Sequence, residues 1–455
     1  MIENLVLFAA EGLVGLPILS LGLSFFLYLL LVQFDFSGPA WQSGAAIGLH
    51  NGIKVVVVPL LLFVRSERKA LFKPRLDWLA AGWLALIGYA GLAVLWSPAR
   101  IPAVKEVGYL TSFFLTAVVA VRLLQSRPRW LGRMLPWALV ISMLLAVLQT
   151  YFTGNRFGAE AGRLTPFVAP KSFAVWLVFG FVLLLWLALR GTVATIWASA
   201  CSFALGIELV LNSSRAEMGG LALISLAVIA MGWSCPAKER GRILKTGAAA
   251  LAGIAIGVAV VFVWPHLTPS GEFTTVQARL AEIPPAAEES PSKIGVRQVP
   301  KNLSFRMTRY RRALKELGGR SLAGLIIGSG TSSAVSVARV SDIRRWKGKV
   351  KRIDANRVVH DAPLRVLLEW GAIGLVILGF LLSRIGLLVV RLFRAAGLRE
   401  ARILALGVVP LAIWILLENP LAAGGSPAGM GAVLWLAALL TVQPAESDGR
   451  PARGS

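Results

Sequence analysis

Long apolar runs, broken at intervals by short polar and basic connections, dominate the chain. A helix rises about 1.5 Å per residue, so roughly 20 apolar residues cross the ~30 Å hydrocarbon core of a bilayer. By that measure the pattern predicts about twelve transmembrane helices, over residues 13–34, 44–64, 78–96, 107–121, 134–152, 172–189, 193–211, 218–233, 247–263, 370–390, 403–417 and 428–442. One long interruption separates the ninth from the tenth. The expected organisation is nine helices in residues 1–264, a large loop over 265–362, three helices in 363–443 and a tail over 444–455. This is an all-α polytopic membrane protein.

Basic residues orient the helices, because Lys and Arg near span ends are retained on the cytoplasmic side. Arg65, Arg68, Lys69, Lys73 and Arg75 follow the second span, Arg122, Arg127, Arg129 and Arg133 the fourth, and Lys238, Arg240, Arg242 and Lys245 the eighth. The connections between these groups are poorer in positive charge. Both termini are therefore expected in the cytoplasm and the long loop outside, in the periplasm of a double-membrane bacterium.

Composition agrees: 56% of residues are hydrophobic and 15% charged, too little charge for a soluble surface. Cys201 and Cys235 lie in or just after apolar runs and read as packing residues. No short apolar segment precedes a small-residue cleavage site, so the first hydrophobic segment is expected to stay as an anchor.

The loop departs from the charge alternation. Residues 265–362 carry 18 Lys and Arg against 8 Asp and Glu, a net of +10 on the side where positive charge is scarce. Long loops translocate regardless of charge, so topology permits the excess without explaining it. Two readings fit: a surface that meets an anion such as a lipid diphosphate, a phosphorylated glycolipid or headgroups, or a solvated basic face near acidic lipids. Residues 268–300, rich in Pro, Glu and Ser, read as poorly ordered or lid-like. From Ser304 onward Phe305, Tyr310, Ala313, Leu314 and Leu317 recur near helical spacing among Arg306, Arg309, Arg311, Arg312 and Lys315. That spacing predicts an amphipathic helix lying against the membrane. Gly328-Ser329-Gly330-Thr331 marks a turn whose amides either approach a phosphate or simply close the chain, and the ordinary turn is the plainer reading.

Three segments in order carry a resemblance. They are Asn212-Ser213-Ser214-Arg215-Ala216 with Gly219-Gly220, then Phe305-Arg306 with Tyr310 leading into Gly328-Ser329-Gly330, then Val359-His360-Asp361-Ala362-Pro363 running into Glu369-Trp370-Gly371. The order resembles the bacterial O-antigen ligase and Wzy-type polymerase superfamily over roughly residues 163–388. Ala216 stands where the family has Gly, Tyr310 where Trp is common and Asp361 where Asn is common. Arg163-Leu164-Thr165 and Pro170-Lys171-Ser172 look like a divergent form of a further family segment.

The resemblance implies a GT-C-like architecture and transfer of a glycan from undecaprenyl diphosphate to an acceptor hydroxyl, inverting and metal-independent, with no cofactor. A lipid A-core acceptor and surrounding membrane lipids are the expected partners, and nucleic acid is not. Guanidinium groups stabilise a departing diphosphate bidentately, so Arg215 and Arg306 are the first candidates, with Arg309, Arg312, Arg163 and Lys171 as further anion contacts. An interfacial arginine that snorkels to headgroups is the plainer reading of Arg215, and a solvated face that of Arg306. His360 is the candidate general base, against a structural histidine at a helix start. Glu369, costly in a membrane unless paired, is expected to hold one of the arginines, with Glu418 as a second candidate and Tyr310 as a supporting aromatic. A polymerase or a protein O-oligosaccharyltransferase is the alternative within the superfamily. Outside it stand a lipid-linked oligosaccharide flippase, disfavoured by the lack of a convincing internal repeat, and a scaffold.

Overall fold

The computed structural model describes residues 20–33, 53–67, 78–127, 129–153, 170–233, 235–267, 310–311, 313–333, 341–346, 349–354, 362–394, 399–417 and 426–442. The lid-like stretch 268–300 and the tail 444–455 lie outside them. In chain order the helices are α1 (Leu21–Leu31), α2 (Val58–Glu67), α3 (Trp78–Leu92), α4 (Arg100–Ser126), α5 (Trp130–Thr153), α6 (Pro170–Leu189), α7 (Thr195–Leu211), α8 (Arg215–Trp233) and α9 (Ala237–Leu267). The loop contributes α10 (313–318), α11 (Leu322–Ile327) and strands β1 (Ser341–Trp346) and β2 (Lys349–Asp354). The chain closes with α12 (Ala362–Arg394), α13 (Arg399–Ala405), α14 (Val408–Leu417) and α15 (Pro427–Thr441).

A helix falls within each of the twelve expected stretches, and six of them (α4, α5, α6, α8, α9 and α12) are long and apolar enough to cross a membrane. Large apolar side chains stand exposed on their outer faces, among them Ile101 at 75%, Leu223 at 59% and Val376 at 72%. A soluble surface carries few such side chains in contiguous patches, whereas a lipid-facing one is built of them.

α6 is the centre. Its sequence is apolar on every side, and 94% of its apolar window is buried within the protein, as expected of a helix surrounded by other helices. α15 and α7 pack against it, and α4 packs behind α15. α7 and α9 meet backbone to backbone. A Cβ on Gly253 would stand 2.1 Å from the Phe203 carbonyl oxygen, and one on Gly206 would stand 2.5 Å from that of Ala250. Small residues at such crossings admit the close approach that helix packing in lipid requires.

Helix ends gather in two groups. At one, Arg122 donates to Ser66 Oγ at 2.9 Å, Arg242 donates to the Leu189 carbonyl at 3.3 Å and Arg190 pairs with Glu400 at 3.4 Å. At the other, the Ala428 amide donates to Ser172 Oγ at 3.2 Å, and α3, α4 and α12 converge on Thr331 and Arg365.

Three of the boundaries that differ from expectation have a local reason. α4 starts at Arg100 and α12 at Ala362, well before the apolar runs, because Glu106 and Arg365 are paired and tolerated inside the helices. The stretch 403–417 is two helices, because Pro410 lacks the amide to continue the ladder and would clash with the carbonyl four residues back. At the break the Leu404 carbonyl accepts from the Gly407 amide at 3.0 Å and from Trp435 Nε1 at 2.6 Å.

The loop holds two features that the helical plan does not specify. Residues 313–318 are helical, but Ala313 and Leu317 are buried against Leu368, with Tyr310, Leu364 and Leu367 around them. These side chains of the stripe cover the start of α12, Leu314 is left 60% exposed, and Phe305 lies outside the described residues. The fold is also not wholly helical. β1 and β2 form an antiparallel hairpin, from Ser341 opposite Asp354 to Trp346 opposite Lys349. The two-residue connection Lys347-Gly348, flanked by Ile343, Trp346, Val350 and Ile353, is a hairpin signal that the helical reading overlooked.

Replacing Gly253 by alanine should cost about 1–3 kcal/mol through forced separation of α7 and α9. Gly88→Ala, with open space around it, should change stability by no more than about 0.5 kcal/mol. Thermal unfolding of the detergent-solubilised protein compares the two, and equal midpoints would refute the close crossing.

Candidate functional site

The site begins with a broken helix. Gly371 takes φ 61° and ψ −159°, a conformation that L side chains rarely adopt, and interrupts α12 two turns from its start. The carbonyls of Leu368 and Glu369 thereby lose their usual takers, the amides of residues 372 and 373, and need other donors. The glycine turn supplies them. Ser329 N–H donates to Leu368 O at 3.1 Å and Gly330 N–H to Glu369 O at 2.9 Å. Gly328 and Gly330, at φ 75° and 94°, press against α12 and α3 so closely that a Cβ would stand 2.3 Å from Glu369 O and 2.6 Å from Ser97 Cα.

Every amide of this turn is spent on the protein. Gly328 N–H donates to Gly324 O at 3.0 Å, Thr331 N–H to Ala93 O at 3.4 Å and Ser332 N–H to Glu369 Oε2 at 2.9 Å. The Gly-Ser-Gly sequence is thus a structural turn and not a phosphate cradle, in line with the plainer of its two readings. Thr331 anchors it further: its hydroxyl donates to Ala90 O at 2.6 Å and accepts from Trp370 Nε1 at 2.9 Å, while its carbonyl accepts from Ser97 Oγ at 2.6 Å. Tyr89 OH donates to Ile327 O at 3.1 Å.

Beneath the turn lies a buried ion cluster. Arg365 Nε donates to Glu369 Oε1 at 2.8 Å, one helical turn on, and Arg365 Nη2 donates to Glu106 Oε1 of α4. The three side chains are 2%, 0% and 4% exposed. Each ion loses several kcal/mol of hydration on burial, recovered only where the geometry is good and further donors are present. Here the Ser332 amide is such a donor. Glu369 was expected to hold a motif arginine, and its partner among the described residues is instead Arg365.

A second feature surrounds Arg215. The turn Asn212–Ser214 is buried, with Ser213 at φ 55° and Ser214 Oγ hydrogen-bonded to Asn212 Oδ1 at 2.5 Å. It ends α7 and starts α8 with Arg215 as the first helical residue, exposed. Lys171 is half-buried at the start of α6, and Tyr310 packs on the small core beside Leu368. His360, Arg306, Arg309, Arg312, Arg163 and Glu418 lie outside the described residues. Of the expected site residues, Tyr310 thus packs beside Leu368, the neighbour of Glu369 in α12. Among the described residues no three His, Cys, Asp or Glu side chains gather as a metal site.

Sequence reading missed Arg365, Glu106 and Arg320. Arg365 and Glu369 are an i, i+4 pair in an apolar helix, a signal that was present in the chain. Glu106 gave none, having been assigned to a connection. Comparison with protein-family models finds no matching family, and comparison with curated proteins finds no match.

Arg365→Ala leaves two buried carboxylates without their cation and should cost about 3–5 kcal/mol. Substituting the exposed Lys315 by alanine should cost less than about 0.5 kcal/mol. Protease resistance and thermal midpoint of the purified protein distinguish them, and equal loss would contradict the buried cluster.

Proposed function

We propose that the chain is a glycosyltransferase of the O-antigen ligase type. It moves a glycan from undecaprenyl diphosphate to lipid A-core at the periplasmic face of the bacterial inner membrane, with about twelve spans in a GT-C-like arrangement and both termini cytoplasmic. One observation carries the reading. Segments centred on Arg215, on Arg306 to Gly330, and on His360 to Gly371 follow one another in the family's order.

Local geometry supports the roles. Arg215 is exposed at the N-terminus of the 19-residue helix α8, so its guanidinium and the positive end of the helix dipole act on one anion. His360 stands two residues before α12, whose first turns are fixed by the ion cluster and the glycine turn.

The chemistry follows from these groups. The acceptor hydroxyl attacks the anomeric carbon from the face opposite the diphosphate, giving up its proton to the His360 imidazole. The bond from that carbon to the diphosphate oxygen breaks with its electron pair, and the charge that develops on the leaving group is met by Arg215 and Arg306. Glu369 acts at one remove, through Arg365 and the turn.

Purified protein, undecaprenyl diphosphate-linked glycan and lipid A-core in the presence of EDTA should give ligated product. His360→Ala and Arg215→Ala should each lower turnover by about 100-fold or more while leaving membrane insertion intact. Full activity in both variants would end the assignment, and long free polymer on the carrier would move it to the polymerase branch.

A further inference from the structure

Arg320 is the buried cation that the proposed reaction does not use. It follows Gly318-Gly319 between α10 and α11, with its side chain only 7% exposed. Nη1 donates to the Leu368 carbonyl at 2.6 Å, one of the acceptors freed by the kink at Gly371, and this fixes the plane of the guanidinium. Among the described residues Nε and Nη2 have no hydrogen-bond partner. Those two nitrogens form the edge of arginine that donates two parallel hydrogen bonds, the geometry that fits a phosphate or a carboxylate. A buried donor pair left open in this way calls for an acceptor.

Among the described residues the ion-pair partner of Arg320 is Glu316, whose Oε1 stands 3.9 Å from Nη2, beyond hydrogen-bonding reach, on a carboxylate that is 46% exposed. It marks the side from which the edge is approached. Burial lowers the pKa of Arg320 from the ordinary arginine range, with Glu316 acting in the opposite direction. A tighter anionic partner would relieve that cost.

The surroundings specify the kind of anion. α11 follows Arg320 at once and buries none of its residues: Leu322 is 74% exposed, Ile326 42% and Ile327 40%. Ile327 O accepts from Tyr89 OH in the last turn of α3, so α11 lies level with the end of an apolar helix. At that end of α3 and just after it Leu92 and Leu95 are exposed as well. At the end of a membrane helix the abundant anion is the headgroup phosphate, and chains hang below it.

We propose that Arg320 and α11 form a lipid-phosphate site. The Nε–Nη2 edge takes two phosphate oxygens in place of Glu316, and the chains of the same molecule lie over Leu322, Ile326 and Ile327. The site does not depend on transferase activity, since any membrane phospholipid carries the group.

The test is equilibrium binding of radiolabelled dioleoyl phosphatidic acid to the full-length protein in detergent, with dioleoylglycerol as the phosphate-free control. Arg320→Gln should weaken binding roughly tenfold or more, and Arg320→Lys several-fold, because an ammonium retains charge but not the paired edge. Glu316→Gln should tighten binding several-fold by removing the competing carboxylate. The double change Leu322→Ser and Ile326→Ser, which leaves Arg320 intact, should weaken lipid binding too. Unchanged binding in Arg320→Lys and Glu316→Gln would overturn the site, as would weaker binding in Glu316→Gln. Inorganic phosphate competing at the same concentration as the lipid would overturn the assignment to a lipid.

Discussion

The guanidinium of Arg365, held between Glu106 and Glu369, joins parts of the chain separated by more than two hundred residues. α4, α12 and the glycine turn meet there, and the turn reaches on to α3 through Thr331. Such a cluster is a weak source of net stability, because desolvation of three ions offsets most of their attraction. We assign it a different consequence. A carboxylate with two acceptor oxygens, one for Arg365 Nε and one for the Ser332 amide, admits one register of the turn on α12. An apolar contact is non-directional and would admit several.

The kink at Gly371 and the turn at Gly328–Ser332 depend on each other. The helix break is tolerated because the turn's amides and Arg320 satisfy the carbonyls it frees, and the turn is fixed because those carbonyls are there to receive it. This arrangement sets where α12 starts. It also orients Arg320, whose Nη1 donates to the Leu368 carbonyl.

Much of the helical plan was legible in the chain because lipid imposes a simple rule: backbone polar groups must be satisfied within the segment, so apolar runs are helices. What stayed hidden depends on pairing across the fold. Glu106 looked like part of a connection, since nothing local announces a partner at residue 365. The break before Pro410 and the hairpin signal at Lys347-Gly348 were present but outweighed by the expectation of continuous helix. Of the candidate site, Glu369 was recognised as a carboxylate that must be paired, and the identity of its partner was not.

The most direct measurement of the central claim is a double-mutant cycle on thermal unfolding with Glu106→Leu, Arg365→Met and the two combined. Each single change strands a buried charge, whereas the double change removes both members of the pair. The double variant should be more stable than the sum of the two losses predicts, by about 1 kcal/mol or more. Additive losses would show that Arg365 does not join α4 to α12, and the arrangement built on it would fail.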